Sequence, residues 1–340
     1  MRTDEQVLLE TAVRRFAERE LVPHMDELNH YPDRPLPEGF LAGLGELGLL
    51  DAEPQTGIEL LASALRELAY SAAAPAALVF AHALGQHLVT KAGRNASGLC
   101  AYPSYGEPQA PELRYVEDRD ALVVDGTCQM VAGAPFAQTL VLPAFGAGST
   151  ALLVLEPTTP GLEVGLPLLT LGMRGCPTAD VSLSAVRVTA DRFVRNAGPL
   201  LDGAHALFRG PAAAIAAGVL ARSTRTATEY ARERYQGGRN IIDHQEVRRL
   251  LAGMLADEEL CRSAVERLID GTAEPAATEL FLRAKERAAR ATCDGVQLLG
   301  GYGYMEDYGQ ERCMRDAKQA EYLLGRPEML RQQALERWLA

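Results

Sequence analysis

The sequence predicts an α+β fold in which a helical stretch, a block of strands and a second helical stretch follow one another along the chain. Three observations predict it. Apolar residues recur at helical spacing through the first ~90 residues, short apolar runs bounded by turn residues fill residues 99–195, and a heptad-like stripe crosses the last third. The division is read as an N-terminal helical domain over 1–98, a middle β domain over 99–195 and a C-terminal helical domain over 196–340.

In the first stretch, Thr3 and Gln6 have the spacing of a capping box, ahead of Leu9, Val13 and Phe16 on one helical face. Pro23 closes that helix. The segment Tyr31–Pro37, containing Pro and Asp, precedes a second helix around Phe40–Leu50, and a third spans Ile58–Tyr70. An Ala-rich fourth is placed over Pro75–Val89, with the proline at the first helical position, where its missing N–H costs nothing.

From about Leu99 the period becomes that of strands. Ala121-Leu122-Val123-Val124 runs into Asp125-Gly126, a dipeptide that reads as a tight turn before the next strand. Thr139–Leu142 and Ala151–Leu155 flank the turn Gly146-Ala147-Gly148-Ser149, and Val181, Leu183 and Ala185 alternate with polar neighbours. In the last stretch Val247, Leu251, Met254, Cys261, Val265 and Leu268 form the stripe of a long packed helix. Glu258 takes a place there that is expected to be apolar. It is either a buried functional carboxylate or, as the cost of unpaired burial favours, a residue at an edge or paired across an interface.

Composition excludes several classes. The chain has 340 residues, enough for two to three domains at ~150 each and for a large core. Its 34 Lys and Arg against 45 Asp and Glu give a net charge of −11, which repels polyanions, so nucleic acid is not expected as a partner. The longest uncharged apolar run, Gly210–Ala221, falls short of the ~20 residues of a membrane helix. No membrane span is expected. The acidic start Met1-Arg2-Thr3-Asp4-Glu5 is unlike a signal peptide, which points to a cytoplasmic location. Six cysteines lie scattered without C-x-x-C or zinc spacing, so they read as reduced core thiols and no metal site is expected.

Gly146-Ala147-Gly148-Ser149-Thr150-Ala151 matches a loose dinucleotide fingerprint, but a strand rather than a helix follows it, which rules the fingerprint out. Two later segments carry more. Gln297-Leu298-Leu299-Gly300-Gly301-Tyr302-Gly303-Tyr304 follows a long helix, and its bare backbone suits either close approach of a phosphate or a simple helix C-cap. Arg234-Tyr235-Gln236-Gly237-Gly238 ends another helix, with a guanidinium suited either to phosphate or to the helix dipole.

Taken in order around a central β block, these segments resemble the acyl-CoA dehydrogenase family over most of the chain. Leu171-Gly172-Met173-Arg174-Gly175-Cys176-Pro177-Thr178-Ala179-Asp180, followed by Val186-Arg187-Val188, looks like the family stretch M-G-x-R-G-S-x-T-A ending in V-R-V-P. Arg234–Gly238 resembles R-x-Q-F-G with Gly237 in place of the aromatic, and Gln297–Gly303 matches Q-x-x-G-G-x-G. The resemblance implies a middle β-barrel or sandwich domain and a C-terminal four-helix bundle. It also implies FAD at a subunit interface, with Arg234, Gln236, Gln297, Gly300 and Gly301 holding the pyrophosphate and adenosine end of a neighbour's cofactor.

The same resemblance exposes losses. The flavin-side loop T-E-P-x-x-G-S-D is replaced by Cys100-Ala101-Tyr102-Pro103-Ser104-Tyr105-Gly106-Glu107-Pro108, and Met130-Val131-Ala132 stands where a threonine would bond the flavin. The catalytic glutamate is replaced by Leu324 in Tyr322-Leu323-Leu324-Gly325-Arg326-Pro327-Glu328, and the alternative base position counts back to Phe208. Glu328 has its own counterpart in the motif. A positioned base supplies ~10² to 10⁴ in rate, so no catalytic residue is assigned to this chain.

The pattern resembles the base-less subunit of the actinobacterial heterotetrameric acyl-CoA dehydrogenases that act on steroid side-chain CoA thioesters. It implies a related partner subunit carrying the glutamate and the acyl-CoA cleft, and an electron-transfer flavoprotein as acceptor. Two other readings stand beside it: a flavin monooxygenase of the same fold, which still needs a ring site, and a structural paralogue without cofactor.

Overall fold

The computed structural model describes residues 3–50, 57–106, 112–273 and 276–339. Its first helices are α1 (Asp4–Phe16), α2 (Met25–Asn29), α3 (Phe40–Glu46), α4 (Ile58–Ser71) and α5 (Ala73–Lys91). The capping box is present in both directions: the Gln6 amide donates to Thr3 Oγ1 and the Thr3 amide to Gln6 Oε1. Beyond α1 the chain passes through one π turn and a short 3₁₀ turn containing Pro23. Helix α5 begins at Ala73 rather than Pro75, so the proline is its third residue, still within the turn whose N–H groups have no helical partner. Almost every face of α5 is buried, because it lies between the β block and the C-terminal helices.

The strands are β1 (Cys100–Ala101), β2 (Leu113–Asp118), β3 (Ala121–Ala132), β4 (Thr139–Gly146), β5 (Ser149–Leu155), β6 (Leu162–Val164), β7 (Thr178–Val188) and β8 (Phe193–Val194). They form one sheet in the order β6-β7-β3-β2-β4-β5-β8, with β1 added alongside β4. Pairing is antiparallel except for β1–β4 and β2–β4.

Two strand expectations are corrected. Asp125-Gly126 is not a hairpin turn but lies inside β3, at a bulge against β7 where Gly126 takes φ +122° and Asp125 Oδ1 accepts the Ala185 amide at 2.7 Å. The turn falls earlier, at Arg119-Asp120, with Arg119 left-handed at φ +58°. The same bulge breaks the alternation expected of β7: Ala185, at φ +49°, is exposed and Val186 is buried in its stead. The Gly146–Ser149 turn is a hairpin between β4 and β5, with a strand after it as expected.

The C-terminal helices are α6 (Gly198–Leu207), α7 (Arg209–Glu233), α8 (Gln245–Ile269), α9 (Ala277–Leu299), α10 (Gln310–Ala320) and α11 (Pro327–Leu339), with a two-stranded hairpin, β9 (Tyr235–Gln236) and β10 (Arg239–Asn240), after α7. Residues 198–233 are long and apolar enough to cross a membrane, yet 72% of their most apolar window is buried inside the chain. Gly218 explains the tight crossing of α7 on α4, since a Cβ there would lie 2.3 Å from the Arg66 carbonyl oxygen. Leu251, Met254, Cys261 and Val265 of α8 are buried as the stripe predicts. Helical, sheet and helical parts follow one another in the α+β order that the sequence predicts.

Candidate functional site

One group of candidate residues gathers at the ends of α7 and α9. Arg234 caps α7, and the chain turns into the β9–β10 hairpin through Gly237 and Gly238, both left-handed at φ +66° and +81°. Helix α9 ends at Leu299, and a 3₁₀ turn over Gly300–Tyr304 folds back on it. A Cβ at Gly303 would meet the Val296 carbonyl oxygen at 2.4 Å, whereas Gly300 and Gly301 face open space. The Arg234 guanidinium carbon stands 5.4 Å from the centroid of the Tyr302 ring, so the two motifs, far apart in sequence, adjoin in space. Tyr302 in turn packs against Tyr230 and Tyr308 at centroid distances of 6.3 and 5.6 Å. Among the described residues no carboxylate is ion-paired with Arg234, and Gln236, Gln297, Gly300 and Gly301 are all exposed. An unpaired guanidinium beside bare backbone fits a phosphate group.

The residues aligned with the flavin ring and the base come together differently: they close on one another. Tyr102 exchanges both backbone hydrogen bonds with Ala132 at 3.2 Å, the Leu324 amide donates to the Ser104 carbonyl at 2.7 Å, and the Tyr105 hydroxyl reaches Met173 Sδ at 3.7 Å. Val131, Ala132, Tyr102, Ser104 and Leu324 are all buried. Glu107 and Pro108 of the expected loop lie outside the described residues. Phe208, at the alternative base position, packs edge-on against Phe80 and His87. Glu328 is exposed on the first turn of α11, where a negative charge suits the helix dipole. In these segments the backbone groups of Tyr102, Ala132, Ser104 and Leu324 named above are bonded to one another within the chain.

Two buried groups here escaped the sequence reading. Tyr102 Oη and His205 Nε2 lie 2.7 Å apart, and burial pushes His205 down to about 4, so a neutral imidazole shares a hydrogen bond with the phenol. Lys285 of α9 donates from Nζ to the carbonyl oxygens of Glu321 and Leu323, both at 2.8 Å, and sits 3.9 Å from the Phe281 ring centroid. Burial lowers its pKa well below the usual lysine value. Lys285 thereby pins the turn that presents Leu324.

The Leu171–Asp180 segment is a latch. The Met173 amide donates to Asp316 Oδ1 at 2.6 Å, Arg315 donates to the Leu171 carbonyl at 2.9 Å, and Arg174 reaches the carbonyls of Thr170 and Asn29. A Cβ at Gly172 would lie 2.2 Å from the Arg315 carbonyl oxygen. Helix α2, the β6–β7 connection and α10 are joined there. Glu258 is half-buried on α8, its carboxyl pushed up by burial and held against that shift by Thr224 and Arg66. Five cysteines are buried, but Cys293 is exposed, which corrects the expectation that all six are core thiols.

The family models "Acyl-CoA dehydrogenase, N-terminal domain" and "Acyl-CoA dehydrogenase, C-terminal domain" match residues 3–97 and 203–339. The chain is 28% identical to the cyclohex-1-ene-1-carbonyl-CoA dehydrogenase of Syntrophus aciditrophicus, over 97% of this chain and 88% of that protein. Its fold is similar to butyryl-CoA dehydrogenase of Megasphaera elsdenii, with a TM-score of 0.86, 22% identity and coverage of 100% and 99% of the two chains. It is also similar to a glutaryl-CoA dehydrogenase of Mycobacterium smegmatis in complex with FADH2, with a TM-score of 0.84, 18% identity and coverage of 100% and 95%.

Proposed function

Since the chain belongs to the acyl-CoA dehydrogenase family, we propose that it is the base-less subunit of a hetero-oligomeric, FAD-dependent acyl-CoA dehydrogenase. One observation supports this above others: an open cradle at Arg234 and Gly300-Gly301 coexists with a closed junction at Ser104 and Leu324. Arg234, Gln236, Gln297, Gly300 and Gly301 hold the pyrophosphate and adenosine end of a cofactor whose ring lies in the partner subunit. FAD supplies, when bound, acceptance of hydride from the acyl β-carbon. The partner removes the α-proton, and this chain contributes no base because Leu324 and Phe208 have no proton-accepting atom. The substrate is an acyl-CoA thioester, proposed to carry a steroid side chain, the acceptor an electron-transfer flavoprotein, and the location cytoplasmic.

The reading is tested by purifying the chain alone and together with a related, glutamate-bearing subunit. The expected results are a colourless, inactive single chain and one FAD per pair of chains in an active complex. A yellow single chain that oxidises acyl-CoA overturns the proposal. In the complex, Arg234→Ala lowers FAD occupancy; unchanged occupancy means a structural paralogue without cofactor contact.

A further inference from the structure

A cleft of about 740 Å³ opens where α1, α4, α7 and α8 meet, lined by residues that neither the cradle nor the closed junction uses. Most charges on its walls are matched. Arg14 and Arg66 pair with Glu67, Arg225 with Glu229, and Arg262 with Glu259. Arg222 of α7 and Arg312 of α10 are different: among the described residues no carboxylate is ion-paired with either guanidinium, and both are half-buried. Both line the cleft, and their helices adjoin there, since the Gln310 side-chain amide of α10 donates to Ser223 Oγ of α7, next to Arg222. The Arg222 guanidinium carbon lies 5.9 Å from the Tyr70 ring centroid, which fixes one of its faces.

The remaining wall is apolar in part, with Val22 and Leu255 exposed by 50% and 55% and Met25 between the helices. Arg312 has the buried carboxyl of Asp316 in its field but no ion pair with it, and two guanidinium groups on one cleft can grip phosphate or carboxylate oxygens through parallel hydrogen bonds. The volume falls within the range of small-molecule sites, roughly 300–1,000 Å³.

We propose that this cleft binds a small organic anion, its phosphate or carboxylate group held between Arg222 and Arg312 and its short apolar body against Met25 and Leu255. The site is independent of the FAD cradle and of the subunit reading above.

Calorimetry and thermal melting of the full-length chain test it, with pyrophosphate, inorganic phosphate and succinate as probes against sodium chloride at equal ionic strength. One probe class is expected to bind one per chain and raise Tm, and phosphate against succinate tells which head group fits. Arg222→Gln and Arg312→Gln each weaken binding at least tenfold. Arg225→Gln, whose guanidinium is already paired with Glu229, leaves it unchanged, and Arg222→Lys retains part of it. The proposal is overturned if no probe binds beyond the chloride control, or if the probe binds the Arg222→Gln, Arg312→Gln double variant as it binds the native chain.

Discussion

The Leu324 amide donates to the Ser104 carbonyl oxygen at 2.7 Å, and this bond joins the turn aligned with the family's glutamate to the loop aligned with its flavin-side segment. On the proposed reading, a carboxylate placed at position 324 alone therefore builds no site. Leu324→Glu is expected to give no acyl-CoA oxidation by the isolated chain and to destabilise it by about 2–4 kcal/mol in urea, because the position is buried and at φ +65°. Activity of the single chain on gaining this residue would mean the junction opens readily.

His205 makes stability depend on pH. Its pKa falls from 6.5 to about 4 on folding, so below pH 6.5 the unfolded chain binds the extra proton and stability declines until about pH 4. The total is on the order of 3 kcal/mol. Comparing urea midpoints of the native chain and His205→Gln from pH 7 to 4 isolates this contribution; the variant should show a shallower decline.

Gly172→Ala places a methyl group 2.2 Å from the Arg315 carbonyl oxygen, where only backbone can give way. A loss of about 2–3 kcal/mol is expected by denaturant titration. Gly301→Ala, which meets nothing within 4 Å, should change stability by less than about 1 kcal/mol.

Thiol labelling separates the cysteines. A thiol reagent should modify Cys293 in the native chain and the five buried cysteines only after unfolding. Burial raises the Cys293 pKa, so its labelling should accelerate as pH rises above neutral. More than one fast equivalent would contradict the burial pattern.

Tyr302 is a positioning residue for Arg234. In the complex, Tyr302→Ala should weaken FAD retention by about two- to fivefold, the worth of an exposed cation–π contact, while Tyr302→Phe keeps it. Tyr304→Ala, at a side chain 81% exposed, should have no effect on retention.

What sequence could show was local. The Thr3–Gln6 box spans four residues and is decided by two side chains within one helical turn, and the Gly146–Ser149 hairpin by the φ its residues accept. Asp125-Gly126 misled because a positive φ serves a bulge as well as a turn, and only the β7 partner distinguishes them. The segments around Arg234 and Gln297–Gly301 could be singled out one at a time, but not their adjacency in space. That Tyr302 carries Arg234, that Tyr102 meets His205 across 103 positions, and that Met173 meets Asp316 across 143 all depend on how the helices dock. No spacing rule reaches that far.

Lys285 and Gln297 ride on one uninterrupted helix, about 18 Å apart along its axis. A displacement of the Gln297 end of that rod therefore bears on the turn its ammonium fastens, so the Gly300–Gly301 segment and the Leu324 turn are coupled through one rigid element.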